Sequence, residues 1–247
     1  MVVPVQPSGV TRNTGAAFLS ERELSDVLAC TFPIQTAKGS EVRSRREFAV
    51  GAVIPDVVYV SLRGTPVSSV LHDRWSYWDA YVMWMVRRHF HIRSDTIASK
   101  AHARPERVAR VTARLVRSGA LECSVSGTLK ASPSYTACSA EVIAVEAKLS
   151  RWRDGLAQAI QYRKFSNRAY VALDHSRIPH QADISAFHRE RIGLVAVSSS
   201  GVFVEIVRAP FRHVSTPDRE YVLSSALGGH GPWRTMCERS PAAQLST

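Results

Sequence analysis

The chain has 247 residues, 45% of them apolar, with 32 Lys and Arg against 21 Asp and Glu for a formal net charge of +11. That length suits one large domain or two modest ones with a substantial core, and the charge argues against an ordinary enzyme of small neutral metabolites and for a polyanionic partner, nucleic acid before an anionic membrane surface. The longest apolar run, near Tyr81–Val86, falls far short of the roughly 18 residues of a spanning helix, so no membrane partner is expected.

Met1–Gly15 is polar, contains Pro, Gly and Thr and lacks the apolar stretch of a signal peptide; residues 1–15 are expected to form a flexible arm. Cys30, Cys123, Cys138 and Cys237 are scattered without CxxC spacing. Neither a zinc site nor a disulfide framework is expected, and reduced thiols point to a cytoplasmic setting. Ser20 is a good N-cap, with Glu23 three residues on and Leu24, Val27 and Leu28 following, which predicts a short helix. Thr31–Ser40 is read as a loop. Glu41–Val50 and Pro55–Leu62 are read as strands separated by a turn near Gly51. Pro55 falls at a strand's first position, where a missing N–H is tolerated.

After Arg63-Gly64-Thr65-Pro66 the periodicity turns helical and the residues basic. Tyr77–His89 reads as a helix rich in Trp and Met. Ser94-Asp95 caps a short helix at Thr96–Ala101. Arg104-Pro105-Glu106 opens a third helix with Pro105 at N1, and Gly119 closes it. Leu121–Val125 and Thr128–Ala131, joined through Ser126-Gly127, read as a small hairpin. Three helices and a hairpin is the layout of a winged helix-turn-helix. Strand character returns at Glu141–Leu149. There follow a helix over about Arg151–Phe165, strand Ala169–Leu173, helix Ile184–Glu190, and strands Gly193–Val197 and Val202–Val207. From Ser215 the chain becomes rich in Ser, Pro and Gly, with one helix near Asp218–Ala226 and fifteen disordered final residues. The expectation is an α/β (α+β) protein: a mixed sheet flanked by helices and interrupted by a basic helical module.

Within Val142–Leu149, read V-I-A-V-E-A-K-L, Glu146 and Lys148 lie two apart and so share one strand face. Ile54-Pro55-Asp56 opens the earlier apolar strand, and Gln158 and Tyr162, four apart, are neighbours on the following helix. Mg²⁺ takes one or two carboxylates and keeps water or phosphate oxygens in its other positions, so two acids at a sheet edge suffice to hold it. A water bound to such an ion becomes a far better nucleophile. Lys148 has an ordinary pKa of about 10.4, which favours charge stabilisation and water positioning over proton removal.

Pro55-Asp56, Glu146-x-Lys148 and Gln158-x-x-x-Tyr162, in this order on strand, strand and helix, resemble the PD-(D/E)xK nuclease superfamily, the restriction-endonuclease-like fold, in its RecB-like and resolvase branch. The resemblance covers about Ser20–Leu62 and Ala140–Val207. It implies that Asp56, Glu146 and the backbone carbonyl of Ala147 hold Mg²⁺ or Mn²⁺. Lys148 would touch the attacking water or the scissile phosphate, and Gln158 and Tyr162 would reach DNA phosphate or the metal-bound water. Glu23 or Glu47 would supply an extra acid. On this reading residues 16–66 and 140–212 form the nuclease-like core, 67–139 an inserted winged helix-turn-helix-like module, and 213–247 a partly disordered tail. Many members of that superfamily dimerise to cut both strands, which leaves a homodimer or a partner protein open.

In the third helix Arg104, Arg107, Arg110, Arg114 and Arg117 recur at spacings of three and four, while Val108, Val111 and Leu115 fall on another face. An apolar stripe packed inward with arginines outside suits a helix that binds double-stranded DNA. Most of these arginines are expected on phosphates, with Arg104 and Arg107 as candidates for base contacts. Trp75, Trp78 and Trp84, at helical spacing with Met83 and Met85, are read as core, and the nine histidines show no metal-binding spacing. The expected function is a metal-dependent DNA endonuclease of a restriction-like defence system or a mobile element. The alternative is a DNA-binding regulator or assembly factor that uses an inactive nuclease fold as scaffold; an RNA target is a weaker third.

Overall fold

The structure, a computed structural model, describes residues 17–31, 40–63, 75–136, 139–179, 181–228 and 232–236. The arm at 1–15, the interior of the 31–40 loop, the boundary near Pro66 and most of the final fifteen residues lie outside the described residues.

Helix α1 (Glu21–Thr31) starts where Ser20 predicts. The Ser20 hydroxyl accepts the Glu23 N–H at 3.1 Å, and the Glu23 carboxylate accepts the Leu19 N–H at 2.9 Å. These bonds satisfy donors that a helix start leaves open. Strand β1 (Glu41–Arg46) stops earlier than expected, because Glu47 takes a left-handed φ of 48° that turns the chain out of the ladder. Strand β2 (Val57–Arg63) follows. It is buried on both faces along V-V-Y-V-S-L, as an unbroken apolar run requires.

Further along, β6 (Ser139–Lys148), α6 (Trp152–Tyr162), β7 (Arg168–Asp174), α7 (Gln181–Glu190), β8 (Gly193–Val197), β9 (Phe203–Val207), α8 (Pro217–Leu227) and β10 (Arg234–Met236) complete the main layer. One seven-stranded sheet runs β10-β1-β2-β6-β7-β8-β9. It is antiparallel except for β6-β7 and β7-β8, whose parallel pairing uses α6 and α7 as crossovers. Alternation sorts the side chains into two cores. Val58, Val60, Val142, Ala144, Val171 and Leu173 meet Leu156, Tyr162 and Phe187 on one face. Val57, Tyr59, Ile143, Val145 and Ala147 meet Leu24 and Leu28 of α1 on the other. Gly193 is required by packing, since a Cβ there would sit 2.1 Å from the Tyr170 ring.

Between β2 and β6 the chain builds α2 (Tyr77–His89), β3 (Ile92–Arg93), α3 (Ser94–Lys100), α4 (Pro105–Arg117), β4 (Leu121–Cys123), β5 (Thr128–Ala131) and the short α5 (Pro133–Thr136). These elements have their own three-stranded sheet, β3-β5-β4, and their own apolar cluster around Met83, Ile97, Val108, Leu115 and Leu129. They dock on α8, where the buried Glu220 accepts from Arg87 at 3.1 Å and from the Tyr135 hydroxyl.

Two expectations change. The final fifteen residues are not all disordered: Trp233 packs against Phe48 at 5.6 Å, and β10 pairs with the open edge of β1, Val42 opposite Met236. Three residues of strand carry no periodicity to read; the ladder of β1 supplies the pattern. Arg114 is not a free cation. Its guanidinium grips the fully buried Asp79 carboxylate at 2.9 and 2.6 Å, and Asp79 also caps α2 through Ser76. Among the described residues no helix is long and apolar enough to cross a membrane.

Removing one partner of a pair whose other member is buried strands a charge. Arg114→Ala is expected to lower unfolding free energy by on the order of 3 kcal/mol, whereas Arg117→Ala, at an exposed position, changes it by less than about 0.5 kcal/mol. Urea denaturation of the two variants is the check; equal losses would contradict the pairing.

Candidate active site

The antiparallel register of β2 and β6 places Val57 opposite Val145. Continued toward the start of β2, it sets Asp56 opposite Glu146 and Pro55 opposite Ala147. In an antiparallel ladder, opposed hydrogen-bonding residues exchange N–H and C=O, but proline has no N–H to give. Position 55 therefore offers no donor to the Ala147 carbonyl. The Ala147 N–H turns instead to the Asp56 carboxylate, Oδ2, at 2.7 Å. Pro-Asp at a strand start thus does two things at once: it interrupts the ladder beside the carbonyl and fixes a carboxylate there.

Glu146 is 2% exposed and shares the α6 side of the sheet with Lys148. Its Oε1 meets the Lys148 ammonium at 2.9 Å, and its Oε2 accepts the Tyr162 hydroxyl from α6. Lys148 is held a second time by Glu21, at 3.3 Å, from the first turn of α1. Burial alone would drive the Lys148 pKa down. The hydrogen bond to Glu146 and the charges of Glu146, Glu21 and Asp56 outweigh it, and the pKa ends above its ordinary value. Burial also pushes Asp56 up, with Glu146 adding to it, to about 6, against the Ala147 N–H and Lys148 pulling the other way. Tyr162 is raised as well, by burial and then by Glu146.

Three carboxyl groups thus face one ammonium, and the surplus of negative charge adds to what burial already does to Asp56. That surplus, hard oxygen donors at Asp56 and Glu146, and a carbonyl without a ladder donor fit a divalent cation such as Mg²⁺ or Mn²⁺. Among the described residues no three His, Cys, Asp or Glu side chains gather as a preformed metal cage. The donor set is a sparse one of the kind Mg²⁺ uses, with Lys148 between Glu146 and Glu21.

The structure brings Asp56, Glu146, Ala147, Lys148 and Tyr162 together. Gln158 lies exposed on α6, one turn before Tyr162. Tyr162 is 2% exposed and bonds Glu146, so it orients that carboxylate and does not reach a DNA phosphate. Neither proposed extra acid is at the cluster. Glu23 is spent on the Leu19 N–H, and Glu47 is exposed with Arg46 at 3.9 Å. Glu21 occupies the place instead. The same spacing that marks Glu23 as an N3 capping residue removes it from the site. Sequence offered no sign of Gly155 either: a Cβ there would stand 3.0 Å from Cγ of Lys148, so this glycine lets α6 close over the lysine stem.

On α4, Val108, Val111, Thr112 and Leu115 are buried, while Arg104, Arg107, Arg110 and Arg117 are exposed. Arg107 lies over the Trp78 ring at 5.1 Å. Four of the five expected arginines are thus exposed, and Arg114 is tied to Asp79. No known family, curated protein or solved structure matches the chain.

The raised Asp56 pKa has a stability signature. The unfolded chain releases this proton near pH 4, whereas the folded protein keeps it up to about 6. Its contribution is therefore full below about pH 4 and lost as the pH climbs through 6. Asp56→Asn, neutral throughout, is expected to melt higher than wild type at about pH 7.5 and no higher at about pH 4. Thermal melts at the two pH values check this, and a pH-independent difference would contradict the raised Asp56 pKa.

Proposed function

We propose that the protein is a divalent-metal-dependent DNA endonuclease with a restriction-endonuclease-like core. The observation that carries the reading is Asp56 fixed opposite Glu146 at the sheet end, beside Lys148 and the Ala147 carbonyl, to which Pro55 has no N–H to donate. Asp56, Glu146 and that carbonyl would hold Mg²⁺ or Mn²⁺. The ion, when bound, would supply an activated water and neutralise charge on the phosphate. Lys148, with its pKa raised, stays an ammonium at neutral pH. Its part is to stabilise charge on the phosphodiester and orient the attacking water, not to take the proton. Glu21 and Gly155 aim the lysine, and Tyr162 holds Glu146. The helical module between β2 and β6 fits a winged-helix reading, with α4 presenting Arg104, Arg107, Arg110 and Arg117 to DNA phosphates.

One observation favours the scaffold reading. Both Glu146 oxygens are already engaged, by Lys148 and Tyr162, and the residue is almost wholly buried. Each carboxylate oxygen has two lone pairs, so sharing with a metal is stereochemically open.

Supercoiled and linear DNA incubated with Mg²⁺ or Mn²⁺ should be nicked or cut by wild type. Asp56→Asn and Lys148→Ala are expected to lose on the order of 10²-fold or more in rate. In parallel, either metal should raise the melting temperature of wild type but not of Asp56→Asn. Metal-dependent stabilisation without cleavage of any substrate form would leave the scaffold reading standing; absence of both would end the metal reading as well.

A further inference from the structure

The tryptophans of α2 pack against the module's core without being fully buried. Trp78, Tyr81 and Trp84, three apart, are each partly buried and touch ring to ring, with centroids 5.5 and 5.7 Å apart. They make a continuous aromatic stripe about 9 Å long on one side of the helix. A guanidinium closes each end: Arg107, from α4, lies over Trp78 at 5.1 Å, and Arg88 lies over Trp84 at 5.6 Å. Both arginines are exposed, and neither forms an ion pair among the described residues. The remainder of α2 is accounted for: Val82, Met83 and Val86 fill the module's core, and Arg87 is bonded to Glu220.

We propose that this stripe is a binding site for single-stranded DNA. Partly exposed rings in a row offer aromatic surface on which unpaired bases stack, and the exposed arginines at both ends offer phosphate contacts. A duplex keeps its base faces stacked inside and would leave the rings unused. Two exposed arginines favour a polyanion, and the chain's charge of +11 disfavours a second copy. The stripe is separate from the Asp56 cluster in sequence and in packing. Binding as such does not depend on the nuclease reading; the choice of DNA over RNA does. On that reading the substrate carries a single-stranded segment, such as a flap, gap or unwound end, beside the duplex held by α4.

The test uses full-length protein in EDTA, so that no cleavage intervenes, and fluorescence anisotropy of labelled oligo(dT), oligo(rU) and a mixed-sequence duplex of equal length. Wild type should bind oligo(dT). Tyr81→Ala and Trp84→Ala should each weaken it about tenfold, with duplex affinity changed less than about twofold. Tyr81→Phe and Trp84→Phe, which keep a ring, should restore most of the loss. Arg88→Ala, at an exposed position, should weaken oligo(dT) binding and flatten its salt dependence. Thermal melts identify any variant that fails to fold, and Arg88→Ala and the phenylalanine variants then carry the test. The proposal is overturned if wild type does not bind oligo(dT), if single-strand and duplex affinities fall together, or if ring loss changes neither. It also falls if oligo(rU) binds tenfold tighter than oligo(dT), or if sedimentation shows a dimer that the ring variants break without losing oligo(dT) affinity. Loss of oligo(dT) binding in the variants of a protein that cleaves nothing leaves this inference intact and removes only the nuclease reading.

Discussion

Seven antiparallel residue pairs between β2 and β6, from Val57 with Val145 to Arg63 with Ser139, are the constraint on which the candidate site depends. The chain leaves this ladder after Arg63 and re-enters it at Ser139, which are paired with each other, so residues 64–138 open and close at one end of two aligned strands. A long excursion from a strand-pair end leaves the register untouched. Asp56 and Glu146 lie at the other end and are opposed by the same register whatever the excursion contains. Proline at position 55 then interrupts the ladder at the one pair where a carbonyl and an anchored carboxylate stand together.

At that end electrostatics and stability pull in opposite directions. A buried Glu146, a half-buried Asp56 and the nearby Glu21 share a single ammonium. A core arranged for stability alone would neutralise or separate these groups. Here the excess is retained, and it adds to the burial that already raises the Asp56 pKa to about 6. Gly155 and Tyr162 spend two positions of α6 on keeping the lysine stem and the Glu146 carboxylate in place.

The helical module divides its cations between structure and surface. Arg114 and Arg87 serve buried carboxylates, Asp79 within the module and Glu220 on α8, and so bind the helices to one another and to the sheet layer. Arg107 and Arg88 end instead on indole rings, and Arg104, Arg110 and Arg117 face outward. Helical spacing alone cannot separate these roles. Arg107 and Arg114 are seven residues apart on one flank of α4, and only the neighbouring α2 decides that one meets Trp78 and the other Asp79.

The sequence by itself determined the elements whose cause is local. Apolar runs marked β2, β6, β7 and β8; Ser20, Pro105 and Gly119 marked helix ends; and Pro-Asp, Glu-x-Lys and Gln-x-x-x-Tyr marked one side of a strand, strand and helix. Those signals depend on residues a few positions apart, so they survive without the fold. What depended on partners distant in the chain was decided only by the tertiary structure. β10 exists because β1 has an open edge. Glu21 and not Glu23 faces Lys148 because capping already occupies Glu23. The tryptophans of α2 are only partly buried, and Arg107 meets Trp78 because α4 packs beside that helix. Hydrogen bonds, charges and ring faces are satisfied by whatever neighbour the fold delivers, and in this chain the neighbour that settles each role lies on another element.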